Sequence, residues 1–173
     1  MDWGMDSVNI IIGNLCSLLA MGTDVLSAAQ KTAKRVLWVQ NLSQLIYFIC
    51  AVVLKGYSGA AQNVVSIIRN LVVIRNRSSK AVEWFLVVLG VALGLCFNNL
   101  GWVGLLPVIA NLQFTLGVFR FKDNERALKI SFLLNAVMYG IFNLAIYNVV
   151  GFGTNLVVTA STAIYLLKRK TSD

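Results

Sequence analysis

One arginine and one carboxylate stand inside apolar runs of a chain that is 58% hydrophobic and only 13% charged. Arg69 interrupts the run from Ser58 to Ile74, and Asp24 falls near the end of the run from Val8 to Ser27. A charge within a membrane helix costs at least about 2.5 kcal/mol at its centre and needs a partner or a route to water. Two readings are open for Arg69. It lies six residues before Arg75, roughly 9 Å at about 1.5 Å per residue, so its side chain can snorkel to the interface. Alternatively it pairs with Asp24 at comparable depth, as a structural bridge or gate near the inner membrane face.

Asn63 and Asn155 offer a different chemistry. A carboxamide both donates and accepts, so it can bind a neutral polar solute without burying a charge. The same groups also join membrane helices by interhelical hydrogen bonds, and both uses stay open. Tyr47 and Tyr139 stand sixteen residues before these two asparagines. Asn41, Asn111, Asn135 and Asn143 are assigned to helix-to-helix bonding. With no His, the chain lacks the commonest metal ligand and the commonest general base near neutral pH. Cys16, Cys50 and Cys96 fall inside apolar runs, with a spacing that fits neither a disulfide framework nor a zinc site. No enzymatic activity, metal or cofactor is expected.

Seven apolar runs position these residues, each close to the roughly 20 residues needed to cross the hydrocarbon core. They cover Val8 to Ser27, Val36 to Leu54, Ser58 to Ile74, Val82 to Phe97, Gly101 to Phe119, Ala127 to Tyr147 and Val149 to Leu167. The expected fold is all-α, a polytopic membrane protein of seven transmembrane helices. Charge gives the orientation, because Lys and Arg accumulate on the cytoplasmic side of short loops. One side collects Lys31, Lys34, Arg35, Arg75, Arg77, Lys80, Arg120, Lys122, Arg126, Lys129, Lys168, Arg169 and Lys170, whereas the other holds Lys55. The amino end is therefore expected outside and the carboxyl end in the cytoplasm. Asp2 and Asp6 stand where a signal peptide would be basic, so the first run is expected to be retained. The net charge of +8 sits in these short clusters, without the aromatic-interleaved stripe of a nucleic-acid binder. The expected partners are the lipid bilayer and a small solute, not nucleic acid. Trp3, Trp38, Trp84 and Trp102 lie near span starts, as interface anchors do.

A shift of 92 residues places Tyr47 on Tyr139, Gly59 on Gly151, Asn63 on Asn155 and Val65 on Val157. The second and third runs thereby align with the sixth and seventh. The first and fifth align through Asn14 and Asn111 if the earlier loop is about five residues longer. Both repeats must run from outside to inside, so the fourth run restores orientation as a linker, giving a 3+1+3 plan with parallel repeats. The units are residues 8–76, 80–98 and 101–170. Gly90 and Gly94 on the linker form a GxxxG pattern suited to close helix packing, which also admits a homo-oligomer.

This plan resembles the SWEET sugar transporters, members of the PQ-loop superfamily. The stretch Gln62-Asn63-Val64-Val65-Ser66 is similar to the third-helix segment of their half-size bacterial relatives, where an Asn contacts substrate near the pseudo-two-fold axis. Tyr47 occupies the place where that family tends to have a substrate-stacking Trp, and Tyr139 repeats the spacing, so the resemblance adds both tyrosines to Asn63 and Asn155 as candidate substrate-binding residues. A closer resemblance is to the YgjV-like bacterial inner-membrane proteins, over about Gly13 to Lys170. It rests on GAAQNVVSIIRNLVVIRNRSS from Gly59 and LLPVIANLQFTLGVFR from Leu105. The resemblance implies a bacterial inner-membrane location and facilitated movement of a small neutral polar solute, sugar-like or similar, by alternating access. A non-transporting scaffold or accessory protein that retains the fold is the rival expectation. The superfamily's Pro-Gln pair is absent, and Pro107 is the one proline available as a hinge.

Overall fold

Burial runs opposite to that of a water-soluble protein. Ser17, Ser43 and Ser58 are fully buried and Gln62 nearly so, while Leu19, Phe85, Trp102 and Leu167 are each more than 60% exposed. Lipid solvates an apolar surface, so that exposure carries no penalty, and cohesion must come from close packing and interhelical hydrogen bonds.

A computed structural model describes residues 6–28, 30, 33–77, 79–121 and 124–170. Asp2, Trp3, Lys31 and Lys122, invoked above, lie outside them. Among the described residues there are seven helices and no strand. They are α1 (Ser7–Ala28), α2 (Ala33–Val53), α3 (Tyr57–Ile74), α4 (Lys80–Cys96), α5 (Trp102–Arg120), α6 (Glu125–Ala145) and α7 (Val149–Lys170). Four of them, α1, α2, α6 and α7, are long and apolar enough to cross a membrane unaided. The apolar stretch of α5 is shorter, Trp102–Gly117. Polar side chains explain the deficit of α3, which carries Gln62, Asn63, Ser66, Arg69 and Asn70, all buried. Such residues are tolerable only where other helices cover them.

The helices pack in the order α1, α2, α3, α5, α6, α7 and back to α1, closing a six-membered ring. α4 touches α3 and α5 alone and turns Trp84, Phe85, Val88 and Leu95 outward. Its inner face is glycine. Gly90 and Gly94 lie against Gln62 of α3, and a Cβ on Gly94 would come within 2.6 Å of Gln62 Nε2 and closer still to Val108 of α5. The GxxxG pattern therefore serves a contact within the chain.

The connections α1–α2, α3–α4 and α5–α6 share one end of the bundle, here the basic end, with Lys34, Arg35, Arg75, Arg77, Lys80, Arg120 and Arg126. Side chains start two helices there: Ser79 accepts from the Val82 amide on α4, and Asn124 from the Ala127 amide on α6. At the far end the α2–α3 and α6–α7 corners are the same turn. Lys55 and Tyr147 both take positive φ, 54° and 59°. The next amide returns five residues in each, Gly56 to the Ala51 carbonyl at 2.7 Å and Asn148 to the Asn143 carbonyl at 2.8 Å. This is a Schellman closure, repeated at the 92-residue shift read from the side chains. The far end is also where apolar residues gather inside the ring: Cys50, Leu54, Leu100, Phe142 and Ile146, with Cys16, Val103, Leu106 and Tyr139 against them. Phe142 lies over Gly56 and Gly59, where any Cβ would strike its ring.

Trp38, Trp84 and Trp102 are all more than half exposed near helix starts, consistent with anchoring at the interface.

Candidate functional site

Arg69 is 8% exposed and does not snorkel. Its Nη1 donates to Asn111 Oδ1 and to Thr115 Oγ1 of α5, both at 3.2 Å, and its guanidinium lies 5.2 Å from the centre of the Phe114 ring. Asn111 stands nine residues from the basic end of α5, against five for Arg69 on α3, roughly 13 Å against 8 Å. Thr115 stands five residues from that end, level with Arg69, so the side chain reaches across to α5 between the levels of Thr115 and Asn111.

The expected bridge between Arg69 and Asp24 is not formed. Asp24 Oδ2 accepts from the Tyr47 hydroxyl at 3.0 Å, and no ion pair joins it to Arg69. Helix order is the reason: α2 touches both α1 and α3, whereas α1 and α3 do not touch each other.

Asn111 is the hub of a buried polar chain. It accepts from Arg69 and, at 3.4 Å, from Ser66, and its amide donates to Gln62 Oε1 at 2.8 Å. Gln62 Nε2 completes the chain at 2.8 Å on the Gly90 carbonyl. Three helices, α3, α4 and α5, are thereby joined through side chains that are all at least nine-tenths buried. Asn111 thus serves the helix-joining role expected of it, as does Asn135, which donates to the Ala110 carbonyl at 3.0 Å. Asn143 accepts from Asn148. Asn41 departs from expectation, being buried with neither amide atom bonded.

Asn14 and Asn111 are not structural equivalents. Asn14 clips α1 to the start of α7, donating to the Tyr147 carbonyl and accepting from the Val150 amide, both at 2.9 Å. That contact is at the far end, whereas Asn111 works deeper in the bundle.

Of the four candidate substrate residues, Asn63 and Tyr139 occupy the same neighbourhood. Asn63 follows Gly59 by one turn, and Gly59 faces Phe142, so Asn63 lies on the ring side of α3, one turn below the apolar closure. Tyr139 precedes Phe142 by one turn of α6 and meets its ring edge-on, centroids 6.5 Å apart. Tyr47 is held by Asp24 on the α1–α2 side. Asn155 is half-buried beside Gly140 of α6, and its amide donates to the Gly151 carbonyl of its own helix at 2.9 Å. Pro107 is fully buried near the start of α5, and the helix runs on through it. Gln62, Phe114 and Thr115 were not singled out from the sequence. The signal available was spacing: Gln62, Ser66 and Arg69 recur at helical intervals on one face of an otherwise apolar run.

No curated protein and no solved structure matches the chain. A family model described as Imp-YgjV, bacterial inner membrane protein, matches residues 11–171. That span contains most of α1, all of α2 to α7 and every residue of the site, and the chain belongs to the Imp-YgjV family of bacterial inner membrane proteins.

Proposed function

We propose that this protein is a SWEET-like carrier, without enzymatic activity, that moves a small polar solute across the inner membrane by alternating access. The observation that carries the proposal is a polar wall under an apolar closure. Asn63 lies one turn from Gly59 on the side facing Phe142, Tyr139 meets the Phe142 ring, and Arg69 is buried between α3 and α5; polar groups at this depth either join helices or meet a solute. The helix order around the ring supports a 3+1+3 arrangement of two parallel repeats. Exchanging α1, α2 and α3 for α5, α6 and α7 reproduces the order, and the α3–α5 seam exchanges with α7–α1. The corners at Lys55 and Tyr147 fit the same shift, though Asn76 closes α3 with the same turn outside the repeat. In this reading all seven helices cross the bilayer, α4 is the linker, and the basic end is cytoplasmic with the amino end outside. The apolar cluster is then the closed outer gate.

One observation favours the scaffold reading. The amide of Asn155 is spent inside its own helix, and the space lined by Gln62, Gly90, Val108, Asn111 and Thr115 holds no water-sized volume. Uptake into proteoliposomes, measured across sugars, amino acids, vitamins and organic acids, separates the two. The carrier gives saturable uptake of at least one class, lowered at least tenfold by Asn63→Ala. Absence of uptake across the panel supports the scaffold.

A further inference from the structure

The two carboxamides taken alone favour a neutral solute, but the structure puts a cation beside them. Arg69 is 92% buried, and the groups its guanidinium bonds or stacks on among the described residues, Asn111, Thr115 and the Phe114 ring, are all neutral. The carboxylates that could neutralise it are engaged or placed elsewhere. Asp24 is on α1 with Tyr47, and Glu83, buried near the basic end of α4, forms no ion pair with it. A buried cation is ordinarily paired, because its desolvation is not offset by neutral hydrogen bonds alone. The guanidinium is also incompletely used. Two hydrogen bonds leave from one nitrogen, Nη1, out of five N–H donors in a planar fork. Among the described residues Nε and Nη2 have no hydrogen-bond partner.

We propose that Arg69 is the binding group for the anionic end of the solute, a carboxylate or phosphate. Asn111 and Thr115 fix one edge of the guanidinium, so the free edge is presented as a fork that matches two oxygens of such a group. The Tyr139 hydroxyl and the Asn63 amide add neutral donors on the ring side. Buried 92% and bonded to α5, the guanidinium is not placed to take a lipid headgroup. This assignment rests on the carrier reading for its biological use, but binding can be tested without transport.

The test uses the full chain in nanodiscs of phosphatidylcholine, which offers no net anionic headgroup to compete. Acetate, succinate and inorganic phosphate are titrated calorimetrically beside glycerol and glucose. The expected result is that at least one anion binds and raises Tm, that Arg69→Gln weakens its Kd more than tenfold, and that Arg69→Lys weakens it less. Tyr139→Phe leaves the helix contacts of α6 in place and weakens the same anion about threefold, which keeps the test open if Arg69→Gln does not fold. Equal anion affinity in wild type and in both Arg69→Gln and Tyr139→Phe, or no anion binding at all, overturns the assignment. Anion binding without uptake into proteoliposomes retains the site and removes the carrier. Uptake of a neutral solute insensitive to Arg69→Gln retains the carrier and removes the anion site.

Discussion

Replacing Asn111 by Leu, which keeps the branched skeleton but is bulkier and apolar, removes the hub that joins α3 to α5 without opening a cavity. Four hydrogen bonds of the Asn111 side chain disappear, to Gln62 Oε1 at 2.8 Å and the Gln62 carbonyl at 3.5 Å, from Arg69 at 3.2 Å and from Ser66 at 3.4 Å. Interhelical bonds in membranes average about 0.6 kcal/mol, so pairwise loss alone predicts about 2 kcal/mol. The bond to Arg69 is charge-assisted and its loss strands a buried cation, which adds about 1–2 kcal/mol. The expected total is about 3–4 kcal/mol, measured by reversible unfolding in mixed micelles of detergent and SDS. A double-mutant cycle isolates the charge. If Arg69 is the costly remnant, Asn111→Leu combined with Arg69→Met is more stable than the sum of the single losses, with a coupling of about 1 kcal/mol or more. A loss below about 1 kcal/mol for Asn111→Leu, or strict additivity in the cycle, refutes the hub.

Two further outcomes follow from packing and from orientation. Gly94→Ala drives a methyl into Val108 and Gln62, so it is expected to cost about 1–3 kcal/mol by overpacking. Gly90→Ala meets its nearest atom at 3.4 Å and is expected to be close to neutral; thermal unfolding of the pair checks the contrast, and equal losses contradict the α4 contact. In a cysteine-free background, Asn99→Cys at the far end should react with a membrane-impermeant maleimide added to spheroplasts, whereas Arg77→Cys at the basic end should not. The reverse pattern inverts the proposed topology.

The helices were legible because their information is local. Apolar run length and clusters of Lys and Arg gave seven elements whose bounds agree with the structure within a few residues. The 92-residue shift, found in side chains, reappears as backbone geometry in the corners at Lys55 and Tyr147 because a turn is specified by the residues around it. The fate of Arg69 was not legible, for two separate reasons. Its partners on α5 are 42 and 46 residues away, and nothing in an apolar run says which neighbour will lie opposite. Its direction is a rotamer choice, and the same residue at the same depth can reach for the interface or for the interior. Asp24 was misassigned through helix order, since depth alone cannot reveal that α2 stands between two helices. The six-helix ring belongs to that same class of information.

The twin corners also set how the molecule can change shape. Each welds a helix pair, α2 with α3 and α6 with α7, by a hydrogen-bonded turn at the far end, so relative movement has to be absorbed at the two seams between halves. Those seams are built differently. The α3–α5 seam is fastened along its depth by Gln62, Ser66, Arg69, Asn111 and Thr115 and braced from outside by α4. The α1–α7 seam is clipped by Asn14 at the far end. If the proposed carrier opens, this fastening makes α3, α4 and α5 the spine of a book whose pages part at the basic end of α1 and α7.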